Sequence, residues 1–326
     1  MTKEKLVGGI DLGGTNIVSA VVTSEGRVLA SDKRPSQTKA ENRVTFDEIA
    51  EALRVCLKNC GKDIADLSGI CLSSPGPLSI KREVAISPTN FPKWGDVYVL
   101  DELRKRGFED IPMCLQNDAN AAAYGESWMG AGKDANSLVA LTLGTGVGGG
   151  IVLDGEIWNG ADDVAGEIGH TTMFMDGRPC NCGSVGCLEQ YVSATGIAIT
   201  AREHINSGRD TILKEMCNND PGVITSRMVY EAALEKDAVA METMAFTSRI
   251  LGAALGSLMN IFNPDVIVLC GGVIKAGEML LTPAREEAAR RAFKIAANRC
   301  QVLPAALGGD AGVIGAAGIA AHKFVK

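Results

Sequence analysis

The 326-residue sequence has no basic run: 32 Lys and Arg stand against 39 Asp and Glu, a net charge of −7. Without a cationic footprint for phosphates, nucleic-acid binding is not expected. Met1–Lys5 lead straight into an apolar segment, with no apolar signal region and no cleavage site. No apolar run is read as long enough to cross a membrane. These absences predict a cytoplasmic protein that does not enter a membrane. Ten Cys in such a chain are expected to be free or metal-bound thiols and not a disulfide framework. The run G-x-x-x-x-G-K-[ST] is also missing, which excludes a Walker-type phosphate loop.

What is present is a globular composition, with 46% apolar and 22% charged residues, and a length that suggests about two domains. Gly is abundant, at 38 residues, and much of it sits in turns beside apolar strands. That is the composition of a ligand-binding α/β enzyme.

The densest chemistry lies at His170, Cys180, Cys182 and Cys187. One imidazole and three thiolates spaced His-x9-Cys-x-Cys-x4-Cys are a complete tetrahedral ligand set for structural Zn²⁺. Gly177, Gly183 and Gly186 supply the tight turns such a loop needs. A redox-active loop is the alternative. Glu167 and Glu189 bracket the set without being needed by a metal. The loop is therefore expected to hold something else in place.

Around it the pattern alternates strands and helices. Leu6–Val22 reads as two strands about the turn Asp11-Leu-Gly13-Gly14-Thr15-Asn16, with a third strand near Val28–Asp32. Apolar spacing predicts a helix over Phe46–Gly61. A buried strand at Ser68–Ser73 runs into Ser74-Pro-Gly-Pro77, and Ser87–Trp94 is loop. A short helix (Val99–Lys105), a strand (Met113–Gln116) and an Ala-rich helix from Asn117-Asp118-Ala-Asn120 to about Met129 follow. Ser137–Leu143, the turn Gly144–Gly150 and Ile151–Leu153 repeat the N-terminal strand–turn–strand device. That repetition suggests two related lobes with a ligand between them. Helices are expected at Ala194–Asn206, Ser226–Lys236, Ala238–Phe262, Pro283–Ala292 and Asp310–Phe324, with a strand at Asp265–Leu269 ending in Gly271-Gly272.

Gly144-Thr-Gly146-Val-Gly-Gly149 satisfies G-x-G-x-x-G, but β-branched residues follow where a helix should begin. A hairpin is expected there and not a dinucleotide fold. Two Gly/Thr turns can bind polyphosphate through close backbone N–H groups and the Thr15 and Thr145 hydroxyls. Neither turn carries Lys or Arg. The charge is then met largely by a metal ion, and Asp11 at a strand end is the carboxylate to hold Mg²⁺. Either turn alone could be an ordinary hairpin; both together, beside Asp11, favour ATP. Asp118 opens a helix after a strand, which suits either a catalytic base or a helix N-cap.

Asp11-Leu-Gly-Gly-Thr-Asn16, Asn117-Asp-Ala-Asn120, Gly166-Glu-Ile-Gly-His170 and Cys180-Asn-Cys-Gly-Ser-Val-Gly-Cys-Leu-Glu189 together resemble the ROK family of sugar kinases and repressors. The resemblance covers the whole chain in order. It implies an α/β, actin-like ATPase (ribonuclease H-like) fold of two lobes with a central cleft. The small N-terminal lobe would be 1–118, with a C-terminal helix at about 311–326 packing back on it. The large lobe, 119–310, would carry the zinc loop. It also implies an ATP-dependent hexose kinase of the glucokinase type, a cytoplasmic homodimer without nucleic-acid or membrane partners. Asp118 would be the general base. Asn90, Asn117, Glu167, His170 and Glu189 would join it at the sugar, with one His170 nitrogen on zinc and the other on a hydroxyl. Asp11, Gly13, Gly14, Thr15, Asn16, Thr145 and Gly146 would take the phosphates and Mg²⁺, and Gly271 and Gly272 the adenosine. Asn90-Phe-Pro-Lys-Trp94 looks like the Asn-Leu-x-x-Trp loop of glucose-directed members, with Phe91 for Leu. N-Acetylmannosamine or N-acetylglucosamine kinases are the nearest alternatives. Fructose-directed members tend to space the cysteines more widely. The family's repressors carry an N-terminal helix-turn-helix, for which the strand near Leu6 is expected to leave no room.

Overall fold

The computed structural model describes residues 4–325; expectations touching residues 1–3 and 326 lie outside them. The meander is β1 (Leu6–Leu12), β2 (Asn16–Thr23) and β3 (Val28–Pro35). The chain continues through α1 (Asn42–Asn59), β4 (Leu67–Ser74), the two-residue strands β5 (Leu78–Ser79), β6 (Val84–Ala85) and β7 (Val97–Tyr98), α2 (Val99–Leu103), β8 (Met113–Asn117) and α3 (Asp118–Trp128). Next come β9 (Ser137–Leu143), β10 (Val147–Leu153), β11 (Glu156–Ile157), α4 (Glu189–Val192), α5 (Ala194–Asn206), α6 (Leu213–Met216), α7 (Ser226–Leu234) and α8 (Ala238–Phe262). The last elements are β12 (Val266–Cys270), α9 (Glu278–Arg291), α10 (Lys294–Arg299), β13 (Gln301–Pro304) and α11 (Ala311–Phe324).

Two compact units result. One takes the chain up to Asn136, then Gly150–Gly166 and everything from Ala305; the other is Ser137–Gly149 with Glu167–Pro304. The first unit therefore runs past residue 118, because α3 packs against α11. Its sheet has the order β3-β2-β1-β4-β8, with β4 parallel to both β1 and β8. β1 is apolar on both faces, the pattern of a strand covered on both sides. α1 covers one face with Phe46, Ile49, Leu53 and Leu57 at helical spacing. α11 covers the other with Val313, Ala316, Ala317 and Ala320. Close approach requires glycine there: a Cβ on Gly9 would strike the Val313 carbonyl, and one on Gly315 the Ala121 carbonyl. Glu126, fully buried at the end of α3, accepts hydrogen bonds from the Ala131, Ala306 and Leu307 N–H groups, which fixes the entry to α11.

In the second unit β12 lies parallel to both β9 and β13. α8 packs on α9, with Gly252 against the Ala284 carbonyl and Glu287. Two expectations change here. α9 starts at Glu278, so Pro283 stands inside it and not at its start. The α8–α9 packing outweighs the one backbone bond the proline forgoes. And α8, contrary to the membrane reading, is long and apolar enough to span a bilayer by length and composition. Just over half of its apolar window is buried inside the protein, 56%, which makes it a core helix.

Candidate active site

In the first unit β1 delivers Asp11 to the end of the sheet, and Gly13 N–H donates to the Asn16 carbonyl (3.0 Å) to close the turn into β2. The Ser36 hydroxyl donates to the Gly13 carbonyl (2.6 Å) and Ser36 N–H to the Thr15 carbonyl (3.0 Å), so both carbonyls are held back and Gly14 and Thr15 stay exposed. Asn90 lies against this turn: a Cβ on Gly14 would come within 3.3 Å of its Nδ2. The rest of the Asn90 loop is anchored by aromatics. Trp94 is buried and stacks on Phe91 (4.2 Å between ring centres) and Phe46 (5.4 Å). Phe91, standing for Leu, therefore enlarges the core and leaves Asn90 exposed.

Asp118 is not the cap of its helix. Asn117 is: its Oδ1 accepts from Ala119 N–H (2.9 Å) and Asn120 N–H (3.2 Å). Capping therefore falls to the preceding residue and occupies the Asn117 carbonyl. One Asp118 oxygen accepts from Ala119 N–H (2.9 Å). Burial pushes the Asp118 carboxyl above its ordinary range; hydrogen bonds from Ala119, its own N–H and Asn117 pull it partly back. Asp11 is pushed up to about 6, mainly by burial, against a hydrogen bond from Ser73 (2.8 Å) and with added repulsion from Asp118. Two half-buried carboxylates that repel each other are what a divalent cation would relieve.

The sign of the Asp11 shift gives a stability prediction. Its folded pKa lies above the unfolded 3.8, so its protonated form stabilises the fold below pH 3.8, and that contribution disappears as pH rises through 6. Asp11→Asn is expected to raise the thermal stability of ligand-free protein at pH 7–8, by up to about 3 kcal/mol from two pKa units. Lower stability of the variant at pH 8 would contradict a buried ionised carboxylate.

In the second unit the turn between β9 and β10 is closed by Gly144 N–H donating to the Gly146 carbonyl (2.9 Å). β10 starts at Val147, four residues before the expected Ile151, because this hairpin zips tight to its turn. Thr145, Gly144 and Gly272 line one cavity of about 530 Å³ with Ile197, Tyr230, Met244 and Lys275. Gly271 has φ +94° and a Cβ there would strike the Leu143 backbone, so only glycine serves at that corner. Lys275 stands on the wall of this cavity, as do Arg227 and its ion-pair partner Glu231 (2.7 Å). Their signal was faint, Lys275 following Gly272 by three positions and Arg227 hidden on the Ser226–Tyr230 face of α7.

The sulfur and imidazole ligands also converge. The ligand atoms of His170, Cys180, Cys182 and Cys187 all lie within 4.8 Å of one another. Cys182 Sγ to Cys187 Sγ is 3.7 Å, and His170 Nδ1 to Cys180 Sγ is 3.6 Å. A tetrahedral zinc with the usual bond lengths sets S···S at about 3.8 Å and N···S at about 3.6 Å, so the set fits that ion. Gly183 and Gly186, both at positive φ, make the turns. His170 uses Nδ1 toward the cysteines while Nε2 faces Glu167 at 3.9 Å. Glu167 is exposed, and Glu189 is tied to the turn between β9 and β10 by Val147 N–H donating to its Oε2 (2.9 Å).

Thus Asp11, Gly13, Gly14, Thr15, Asn16, Asn90, Asn117 and Asp118 fall in the first unit, and Thr145, Gly146, Glu167, His170, Glu189, Gly271, Gly272 and the cysteines in the second. The ROK family model matches residues 7–323. The chain belongs to the ROK family. It is 39% identical over 308 residues to a glucokinase of Halalkalibacterium halodurans, covering 94% of this chain and 92% of that one. Among solved structures, the ROK family glucokinase of Streptomyces griseus in complex with glucose and AMPPNP is 33% identical with a TM-score of 0.77, covering 97% and 99% of the two chains. The ROK hexokinase of Thermus thermophilus is 31% identical with a TM-score of 0.80, covering 97% of each. The ROK chain accordingly has the mixed α/β, actin-like ATPase fold of these sugar kinases.

Proposed function

We propose that this ROK protein transfers the γ-phosphoryl group of ATP to glucose, giving glucose 6-phosphate and ADP. The observation that carries it is Asp118: a half-buried carboxylate relieved of helix capping by Asn117, raised toward working pH and paired with Asp11. A general base works best when its pKa approaches the operating pH. The similarity to glucokinases over nearly the whole chain supports glucose as acceptor.

In this reading Asp118 accepts the proton of the attacking hydroxyl, while Asn90, Asn117, Glu167, His170 and Glu189 orient the sugar by charge-assisted and amide hydrogen bonds. Gly13–Asn16 and Thr145–Gly146 cradle the phosphates, and Gly271–Gly272 with the 530 Å³ cavity hold the adenosine. Asp11 holds Mg²⁺, which when bound neutralises the charge of the transferring phosphoryl group. His170, Cys180, Cys182 and Cys187 hold structural zinc, which has no open position for water. The protein works as a cytoplasmic homodimer without nucleic-acid or membrane partners, and light scattering tests the dimer.

The deciding experiment is ADP release from Mg-ATP with glucose, mannose, N-acetylglucosamine, N-acetylmannosamine and fructose. Strong turnover with glucose is expected. Turnover confined to an N-acetylated sugar would keep the chemistry and overturn the substrate; none with any sugar, in zinc-replete protein, would overturn the kinase reading.

A further inference from the structure

The turn Gly144–Val147 is bonded along its length to the corner between α4 and α5. Ala194 N–H donates to the Gly144 carbonyl (2.8 Å), the Thr195 hydroxyl to the Thr145 carbonyl (2.8 Å), and Val147 N–H to Glu189 Oε2 (2.9 Å). The Glu189 carboxylate fills the space that a side chain on Gly146 would need. Two of the turn's carbonyls are thereby drawn toward the α4–α5 corner. A carbonyl turned toward polyphosphate would repel it, so this arrangement favours amide groups on the phosphate side.

We propose that Thr195 and Glu189 are positioning residues that hold the nucleotide turn in its phosphate-binding shape, and that Glu189, shared between turn and sugar, couples the two substrates. This rests on the kinase reading above. A sugar hydroxyl donating to Glu189 fixes the same carboxylate that orders Val147, so part of the ordering needed by the nucleotide is already done when it binds. Coupling of this kind is reciprocal: sugar tightens nucleotide by the factor with which nucleotide tightens sugar.

Thr195 is exposed and is not one of the residues lining the 530 Å³ cavity, so it separates the two ideas. Calorimetric titration of a non-hydrolysable ATP analogue into wild type, Thr195→Val and Thr195→Ser tests it. Thr195→Val is expected to weaken analogue binding by about two- to tenfold, the effect of one hydrogen bond, with glucose affinity unchanged. Thr195→Ser, which keeps the hydroxyl, should restore it. In wild type, saturating glucose should tighten the analogue, and Glu189→Gln should abolish that tightening. Unchanged analogue affinity in Thr195→Val, in protein that still phosphorylates glucose, would overturn the strut and leave the kinase standing. Loss of analogue affinity that Thr195→Ser does not rescue would also overturn it, as would glucose that leaves wild-type analogue affinity unmoved. Wild type that turns over no sugar fails the kinase reading, and the coupling with it.

Discussion

Asp118→Asn is expected to lower turnover by about 10³-fold or more while glucose and ATP still bind. The variant is nearly isosteric, and its side-chain oxygen can still accept from Ala119 N–H. What it loses is the ability to take a proton, a contribution of about 10² to 10⁴, together with the charge that orients the hydroxyl. Misfolding cannot mimic the result. Burial raises the Asp118 pKa, so its contribution to stability is present below the unfolded pKa and is lost as pH rises through the folded one. At neutral pH the ionised carboxylate costs stability, and the amide is expected to melt at the same temperature or higher. For the wild type, kcat/KM should rise with pH through the raised pKa, and the variant should lack that limb. Near-normal turnover in a well-folded variant would remove Asp118 from the chemistry.

Cys182→Ser should give the second large effect. Cys182 is the exposed one of the three cysteines, while Cys180 and Cys187 are buried, so its replacement opens no core cavity. A metal held by His and three thiolates contributes its binding free energy to folding. Removing one thiolate should release zinc, measurable as metal per chain, and lower the melting temperature by roughly 10 °C. Activity should fall on both substrate sides, because Cys187 is followed after one residue by Glu189, which carries both the proposed sugar contact and the bond to Val147. A strong chelator should reproduce the effect in wild type and added zinc reverse it. Purified wild type containing no zinc, with a Cys182–Cys187 disulfide forming under mild oxidant, would favour the redox reading of the loop.

Much of the fold was legible because its signals are local. Period-3.6 apolar spacing marked α1, and α8 was bounded by Pro264 at its end. The convergence of His170, Cys180, Cys182 and Cys187 was legible because four nitrogen and sulfur donors within eighteen residues leave few other readings. What sequence hid was tertiary. Trp94 is visible in the sequence only as the end of the Asn90–Trp94 loop motif, and its stacking on Phe46 and Phe91 appears only in the fold. Whether Asn117 or Asp118 caps α3 depends on one residue of phase that propensity does not resolve. Lys275 and Arg227 reach the wall of the 530 Å³ cavity only when α7 and the segment after β12 come together. Pro283 looked like a helix start because local rules weigh the lost hydrogen bond and not the packing of α8 on α9.

The seating of α11 on β1 and α3 has a consequence during synthesis. The second unit is complete in the emerging chain by Pro304, whereas the first waits for residues made after it. Until α11 clears the ribosome, one face of the nascent first sheet, with Val7, Ala20, Val22, Cys71 and Cys114, stays bare. The part made earliest is thus the last to close, and a nascent chain halted shortly before Ala311 would present an open apolar face to chaperones.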